Sequence, residues 1–328
     1  MTTLGSFLRE YFTTFLSDQK AVSDATIAAY RDTWRLFLQF LASTTTQVVD
    51  LQLDAITPEA VSSFLEHLQT DRGNSVATRN LRLTAIKSAM AHLATTAPEH
   101  IEAASRIKAI PAKRQPKPVV SYLTGQETQT LLAAIDTTTW TGRRDHAMFA
   151  LAAQTGLRLG ELASLTTDAI RLGAAPYVAC TGKGRKRRST PLTRSMATTL
   201  KNYLSERRQR PGTALFPNPH GNALSSAAIQ QRLKRHIAAA AAVDSSLANK
   251  NVTVHTLRHT AAMRFLEAGI DCAVIALWLG HEQIATTAVY LHADLNIKRA
   301  ALERTRQPDT QPGDYKPPDA LLAWLQQL

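Results

Sequence analysis

Apolar side chains recur at three- and four-residue spacing along the first 110 residues, and this periodicity constrains the fold more than any other feature. The two clearest runs are Leu4, Phe7, Leu8, Tyr11, Phe12 and Phe15, and then Tyr30, Trp34, Phe37, Leu38 and Leu41. A residue returns to the same face of an α-helix after three or four positions, so each run predicts a helix with one apolar side. We therefore expect the N-terminal part of the chain to be a bundle of helices.

The charge of the chain indicates the kind of partner. Its 328 residues include 38 Lys and Arg against 26 Asp and Glu, a formal net charge of +12, and 44% are hydrophobic. This length and apolar content suffice for two domains with cores of their own and exclude a wholly disordered chain. A positive surplus of this size indicates a polyanionic partner, either nucleic acid or an anionic membrane.

Further observations weigh against a membrane and indicate the compartment. No run approaches the ~20 apolar residues that a bilayer crossing needs, and the N-terminus lacks the pattern of a signal peptide. The two cysteines, Cys180 and Cys272, are too few for a disulfide framework, which suits a reducing compartment. We expect a cytoplasmic protein.

Two more helices are predicted before residue 110. Thr57 can cap a helix whose first turn contains Pro58, and a later apolar stripe runs from Val76 to Leu93. Basic side chains lie on or beside the N-terminal half of that stripe. They either bind phosphates or extend from a solvated face, and both interpretations stay open for Arg79, Arg82 and Lys87.

A cationic, proline-rich segment divides the chain. Between residues 106 and 126 there are five basic residues, no acidic residue and three prolines, which predicts an extended linker at 113–120. A flexible tether does not need charge, so we expect Lys113, Arg114 and Lys117 to follow a phosphate backbone. The predicted organisation is a helical domain at 1–112, the linker, a second domain at 121–306 and a tail at 307–328.

The second domain is predicted to be mainly helical with one small β-hairpin. Thr124 and Glu127 form a capping-box pattern at its start. β-prone residues flank Gly182 and Gly184, and the predicted turn is crowded with cations that we expect to bind phosphates at 185–188. A helix near Ser225 carries another basic group. The predicted DNA-binding residues of this domain are Arg185, Lys186, Arg187, Arg232, Lys234 and Arg235.

Several residues could carry chemistry on a phosphate. His255 and His259 have the i, i+4 spacing of a zinc site, but Thr256 replaces the glutamate of the metalloprotease pattern, so we expect no metal. His255 and Arg258 share a helical face. A guanidinium can hold two phosphate oxygens, and an imidazole can move a proton near neutral pH.

Four other candidates each have an ordinary structural alternative. Arg158 precedes Glu161 by one helical turn, which also suits a surface ion pair, and Lys183 in a G-K-G turn also suits a solvated charge. His281 follows the end of an apolar run and could be a helix-terminal histidine, while Tyr290 could belong to a core.

Taken in order, these residues resemble the tyrosine recombinase family, also called the phage integrase family. The resemblance rests on the segments TGLRLGEL, TGKGRKRR, HTLRHT, LGH and TTAVYLH, with His281 23 residues after Arg258 and Tyr290 nine residues after His281. It covers nearly the whole chain and suggests a recombinase of a bacterial mobile element, acting in integration or transposition, or one of chromosome resolution. It implies a helical, SAM-like core-binding domain followed by an α+β catalytic domain.

The resemblance also implies a mechanism. Tyr290 attacks a DNA phosphate to form a 3′-phosphotyrosyl link, Arg158 and Arg258 bind its oxygens, and no cofactor takes part. Lys183 protonates the leaving oxygen, His255 assists Tyr290, and His281 donates a hydrogen bond. The implied partners are duplex DNA and further copies, in a tetramer on paired sites to which a short C-terminal helix docks. A related recombinase or an accessory protein is a possible further partner.

Two alternatives remain at this stage. A type IB topoisomerase shares the chemistry but is disfavoured by the separate helical N-terminal domain. A DNA-binding regulator without catalytic activity would explain the basic surface but not the six residues together.

Overall fold

The computed structural model of the chain describes residues 3–42, 47–114, 120–182 and 187–280. The chain divides into two compact units, Met1–Pro118 and Val119–Leu328. The described residues are mainly helical and include one three-stranded sheet, which confirms the predicted fold class. Within these ranges, no helix is both long and apolar enough to cross a membrane.

The first unit is a helical bundle, as the apolar periodicity predicts. Helix α4 contacts α2, α3 and α5 and so occupies the centre of this bundle. Four of the five helices begin after a Ser or Thr whose hydroxyl oxygen accepts a hydrogen bond from a backbone N–H of the first turn. The α-helices of this unit are α1 (Leu4–Glu10), α2 (Asp24–Leu41), α3 (Pro58–Thr70), α4 (Val76–Thr96) and α5 (Ile101–Ala109).

The end of the first predicted helix has a different geometry. After α1 the chain continues as a π-helix over Tyr11–Gln19. Spacings of three and four residues identify an apolar face but do not distinguish an α-helix from its wider variant. The π-helix presents Phe15 to His92 of α4, with ring centroids 4.0 Å apart. The Nε2 atom of His92 lies 2.7 Å from Oε2 of Glu10, which attaches this segment to α4.

The beginning of the predicted linker is attached to α4. The Asn80 side chain donates a hydrogen bond to the Lys113 carbonyl (2.8 Å) and accepts one from the Lys113 N–H (3.1 Å). Arg79 donates to the Pro111 carbonyl at 3.1 Å. Lys113 also donates through Nζ to Gln69. Residues 111–113 are therefore held against the helical unit, while Lys117 lies outside the described residues.

The second unit contains seven described α-helices. The first begins with the predicted capping box of Thr124 and Glu127, which the structure confirms. Helix α7 packs against α9 and α11, one apolar core runs from α6 to the start of α11, and a second buried cluster joins α11 to α12. The helices are α6 (Gly125–Ala133), α7 (Trp140–Thr155), α8 (Leu159–Ala163), α9 (Arg194–Arg207), α10 (Ser226–Ala241), α11 (Val254–Glu267) and α12 (Cys272–Leu279).

The sheet contains the predicted hairpin and one strand more. Strands β2 (Tyr177–Thr181) and β3 (Arg187–Pro191) pair antiparallel, with Cys180 opposite Arg188. Strand β1 (Ile170–Arg171) pairs antiparallel with β2 and was not predicted, because two residues are too few to show a period. The turn between β2 and β3 lies outside the described residues.

A buried cluster of charges joins α7 to α10. The Asp145 carboxylate accepts hydrogen bonds from Arg144 at 2.8 and 3.0 Å and from Arg232 at 2.9 Å, and it lies 3.0 Å from Nε2 of His236. Burial raises the pKa of the Asp145 carboxyl, but the contacts with His236 and Arg144 lower it by more than burial raises it. The pKa of Asp145 therefore lies below its ordinary value. Asp145 is thus a buried carboxylate that neutralises buried cations.

We predict that Asp145→Ala destabilises the second unit by about 3–5 kcal/mol, because Arg144 would stay buried without its counter-charge. Urea unfolding followed by circular dichroism measures this free energy. Asp168→Ala removes an exposed carboxylate of the same unit and should leave the free energy of unfolding nearly unchanged. Equal effects of the two substitutions would contradict the prediction.

Candidate functional site

Arg258 joins the ends of two helices. It lies on α11 and is 1% exposed. Its Nη1 atom donates to the Gly156 carbonyl at 2.6 Å, and Nη2 donates to the Leu279 carbonyl at 2.8 Å. These carbonyls lie at the C-terminal ends of α7 and α12, where backbone oxygens lack partners within their own helix. Arg258 supplies hydrogen bonds to both ends and holds them next to α11.

Only glycine fits at the end of α7. Gly156 has a φ of +66°, in the left-handed region that side chains disfavour. A Cβ atom at this position would lie 2.5 Å from Cδ2 of Leu279 and 3.3 Å from Cβ of Ala261. The glycine therefore allows α7 to end in direct contact with α11 and α12, and it directs the chain toward Arg158.

Arg158 lies at the start of α8 and reaches the same segment as Arg258. Its Nη2 atom donates to the Gly280 carbonyl at 2.9 Å, and Nη1 donates to Oε1 of Glu161 at 3.0 Å. The Arg158 N–H donates to Oε2 of Glu161 at 2.8 Å, so the predicted contact between these two residues is confirmed. Arg158 and Arg258 thus donate to consecutive carbonyls, those of Gly280 and Leu279. Both guanidinium groups thus bind the two residues that precede His281 in the sequence.

His255 lies one helical turn before Arg258 on α11. Its ring contacts that of His259, with centroids 4.2 Å apart and planes at 68°. The His255 side chain is exposed, yet the burial of part of it lowers its pKa, and the charges of Arg258 and Arg158 lower that pKa further. Burial, followed by the charges of His255 and Arg258, lowers the pKa of His259 to about 4. At neutral pH His255 therefore carries a neutral imidazole that can accept a proton.

The structure brings together three of the six predicted catalytic residues: Arg158, His255 and Arg258. Lys183, His281 and Tyr290 lie outside the described residues, as do Arg185 and Lys186. Gly280 ends α12 with a φ of +67°, next to the position of His281.

The predicted DNA-binding residues fall into two groups. One group is exposed and consists of Arg114, Arg187, Lys234 and Arg235, together with Lys113, whose Nζ also donates to Gln69. In the other group, cationic side chains make contacts within the protein. Arg79 is buried and holds Pro111, Arg82 donates to the Ala29 carbonyl and to Thr33 Oγ1, and Arg232 donates to Asp145. Lys87 is half-buried, and burial followed by the charge of Arg79 lowers its pKa. The exposed group is better suited to bind phosphates.

Arg188 has a partner inside the protein that was not expected from the sequence. The sequence predicts that it binds phosphate with the rest of the cationic turn, but the structure pairs it with Glu161. Nη1 of Arg188 donates to Oε1 of Glu161 at 2.8 Å and Nη2 donates to Oε2 at 2.7 Å. The signal was available in the two-residue period of β3. Arg187 and Ser189 are exposed, whereas Arg188 and Thr190 face inward.

The Glu161 carboxylate is charged in spite of its burial. Burial alone raises its pKa, but hydrogen bonds and charge from Arg188 and Arg158 lower the pKa to about 2. The site thus combines two arginines near one backbone segment, a neutral histidine and a buried carboxylate. Guanidinium groups in this number suit an anion with several oxygens, such as a phosphate. Within the described residues, no group of three or more His, Cys, Asp or Glu side chains could hold a metal ion.

Comparison with known proteins identifies relatives of both units. The profile described as Phage integrase family matches residues 121–296, and that of Phage integrase, N-terminal SAM-like domain, matches residues 10–95. The chain is 43% identical to "Putative integrase/recombinase y4rC" of Sinorhizobium fredii (strain NBRC 101917 / NGR234) over 326 residues, which cover 99% of this chain and 98% of that protein. It is 31% identical to tyrosine recombinase XerD of Oceanobacillus iheyensis over 289 residues, which cover 86% and 92% of the two chains.

Solved structures share the fold. The XerH site-specific recombinase, in a post-cleavage complex with its palindromic difH substrate, has a TM-score of 0.68 to this chain at 22% sequence identity. The match covers 85% of this chain and 79% of that one.

We predict that Glu161 makes the stability of the second unit depend on acid pH. The pKa of Glu161 is about 2 in the folded state against 4.5 as its ordinary value, so the contribution is complete above about pH 4.5 and is lost as the pH falls toward 2. Glu161→Gln should therefore lower the free energy of unfolding by about 3 kcal/mol at pH 7. The difference from the wild type should shrink below pH 4.5.

Urea unfolding of both proteins at pH 7, 5, 4 and 3 measures this dependence. Glu206→Gln is the control, because Glu206 also pairs with an arginine, Arg143, but is partly exposed. A difference between the wild type and Glu161→Gln that stays constant with pH would contradict the prediction.

Proposed function

The chain belongs to the phage integrase family of tyrosine recombinases, and from this premise we propose that it cleaves and rejoins DNA at specific sites through a 3′-phosphotyrosyl intermediate. It is an enzyme of DNA recombination, and its partner is duplex DNA. Relatives over nearly the full chain are named as integrases and tyrosine recombinases, which supports this activity rather than DNA relaxation or regulation.

The convergence of Arg158 and Arg258 on one backbone segment supports this function most directly. Both guanidinium groups donate to carbonyls of the two residues before His281. His255 is on the same helix as Arg258 and is neutral at pH 7 because its pKa is lowered. Two positive charges beside one proton acceptor suit a phosphodiester whose negative charge grows during attack by a hydroxyl group.

We propose the following roles for the six residues. The Tyr290 hydroxyl oxygen bonds to the phosphorus of the scissile phosphate, and His255 takes its proton. The bond from phosphorus to the 5′-oxygen breaks, and Lys183 gives a proton to that oxygen. Arg158, Arg258 and His281 stabilise the charge on the other oxygens. The 5′-hydroxyl of a partner strand then attacks the phosphotyrosyl bond and releases Tyr290, so one ester bond replaces another throughout.

The same proposal covers assembly and location. Recombination joins strands from two sites, so we propose that four copies assemble on a pair of sites and that the tail at 307–328 contributes a docking helix. The exposed cations near the linker and on α10 would bind the DNA backbone. We place the enzyme in the cytoplasm, associated with the nucleoid, because its substrate is there.

We predict that the protein forms covalent adducts with DNA and that Tyr290→Phe abolishes them. Purified protein is incubated with sheared genomic DNA of its host, denatured in detergent, and the DNA bound to protein is sequenced. Adducts should map to a defined site with the protein on the 3′ side of the break. Tyr30→Phe, which removes a hydroxyl from the other unit, should leave adduct formation unchanged.

The outcomes separate the alternatives. Wild-type protein that binds DNA without any adduct would favour a regulator, and adducts that persist in Tyr290→Phe would exclude Tyr290 as the nucleophile. Relaxation of supercoiled DNA that carries a single site would favour a topoisomerase.

We predict that the exposed cations bind phosphates. Alanine at Arg187, Lys234 or Arg235 should lower the slope of log affinity against log salt concentration by about 0.9 for each phosphate that the variant no longer neutralises. Arg208→Ala removes the same charge from an exposed position outside the predicted DNA-binding set and should leave the slope unchanged. Fluorescence anisotropy with a duplex of the mapped site, at several salt concentrations, measures the slopes. An unchanged slope for all three variants would show that these side chains face solvent in the complex.

A further inference from the structure

We propose that Arg188 is a positioning residue for strand cleavage, which holds Glu161 and Gly280 so that Arg158 keeps its orientation and its net positive charge toward the scissile phosphate. This inference rests on the proposed function. It differs from the phosphate-binding role that the sequence predicts for the cationic turn.

The Glu161 carboxylate is shared equally between two arginines. Its Oε1 atom accepts from Nη1 of Arg158 (3.0 Å) and from Nη1 of Arg188 (2.8 Å). Its Oε2 atom accepts from the backbone N–H of Arg158 (2.8 Å) and from Nη2 of Arg188 (2.7 Å). Two parallel bonds from a planar guanidinium define the plane of a carboxylate. Arg188 therefore fixes the group to which Arg158 is attached on both its side chain and its backbone.

Arg188 also lies against the second attachment point of Arg158. A Cβ atom on Gly280 would be 3.0 Å from Nη1, 3.2 Å from Cδ and 3.3 Å from Cζ of Arg188. The guanidinium thus packs closely on the Gly280 backbone, whose carbonyl accepts from Nη2 of Arg158. Through Glu161 and Gly280, Arg188 contacts both partners that hold the Arg158 side chain.

The charges give the pairing a consequence for catalysis. The Arg188 side chain is 14% exposed and that of Glu161 is 5% exposed, so water screens their interaction weakly. With Arg188 present, one carboxylate stands between two guanidinium groups and the trio is positive. Without Arg188, the Glu161 charge would neutralise that of Arg158. The stabilisation that Arg158 gives to the charge growing on the phosphate during attack would then fall, although Arg158 itself is unchanged.

Arg188 lies on the hairpin of β2 and β3, so the hairpin influences the orientation and charge of Arg158. Arg188 is on β3, five residues after Lys183, and is paired with Cys180 of β2. The strand that follows Lys183 in the sequence therefore carries the residue that orients Arg158. The Arg188–Glu161 pair joins β3 to the first turn of α8 across 27 residues of sequence.

The test compares cleavage and binding by Arg188 variants. A nicked suicide duplex, built on the site mapped by adduct sequencing, traps the phosphotyrosyl product in one turnover. For Arg188→Met we expect the adduct rate at saturating DNA to fall about 10- to 100-fold, because Arg158 loses its orientation. The dissociation constant should stay within about twofold and its salt dependence should be unchanged. Arg188→Lys should recover part of the rate, since it keeps the charge but not both parallel bonds.

A pH profile separates positioning from general damage to the fold. Loss of Arg188 removes the strongest partner that lowers the pKa of Glu161, so that pKa should rise. In the described part of the chain, the charged and titratable groups around this carboxylate are Arg158, Arg188 and Cys180. Protonation of Glu161 would then end its neutralisation of Arg158, so the deficit in the adduct rate of Arg188→Met relative to the wild type should narrow from pH 8 to pH 5.

Arg143→Met is the matched control. Arg143 also donates two hydrogen bonds of 2.8 Å to one glutamate, Glu206, but it contacts none of the proposed catalytic residues in the described structure. It should leave the adduct rate and its pH profile unchanged. Thermal unfolding of each variant shows whether it is folded. If Arg188→Met does not fold, the comparison is made with Arg188→Lys alone.

The results decide between distinct outcomes. Weaker binding with a lower salt slope and a normal rate at saturation would overturn the proposal and make Arg188 a phosphate ligand. A normal rate and pH profile for both Arg188 variants would also overturn it. Absence of adducts with the wild-type protein would overturn the proposed function itself, and the inference with it.

Discussion

One buried guanidinium determines the arrangement of the second unit around its site. Arg258 donates to the last carbonyls of α7 and α12, which come from parts of the chain 102 and 21 residues away. Burying a guanidinium is costly unless its N–H groups find acceptors, and helix ends offer carbonyls that need donors. The N–H groups of Arg258 and the carbonyls at the two helix ends therefore supply the hydrogen bonds that each needs. Because Arg158 follows α7 and Gly280 ends α12, the same contacts bring Arg158 and Gly280 together beside α11.

Among the described residues, the site is positive because three arginines lie around one buried carboxylate. Arg158, Arg188 and Arg258 lie around Glu161 and the backbone of residues 279 and 280, and Glu161 is ionised because Arg188 and Arg158 bind it. A similar arrangement elsewhere has a different purpose. In the Asp145 cluster the cations face a carboxylate inside the fold and join α7 to α10. We therefore propose that arginine–carboxylate contacts serve catalysis at the first place, and they join helices of the fold at the second.

Local features of the fold were predictable from the sequence, and features that depend on distant contacts were not. The capping box of Thr124, the hairpin of β2 and β3 and the helix that ends at Gly280 follow from residues within a few positions of one another. The π-helix after α1 was not predicted, because its aromatic side chains pack on His92 of α4 and their spacing does not record that contact. Strand β1 was missed because it exists only through its pairing with β2.

By itself, the sequence determined the chemical groups available and their order along the chain, and that order was enough to recognise the family. It did not determine which cations act on DNA and which hold the protein together. Arg187 is exposed while its neighbour Arg188 binds Glu161, and Lys234 is exposed while Arg232 binds Asp145. These partners lie 27 and 87 residues away in the chain. The tertiary structure decides between the two roles because the burial and pairing of a charge depend on the side chains that folding brings beside it.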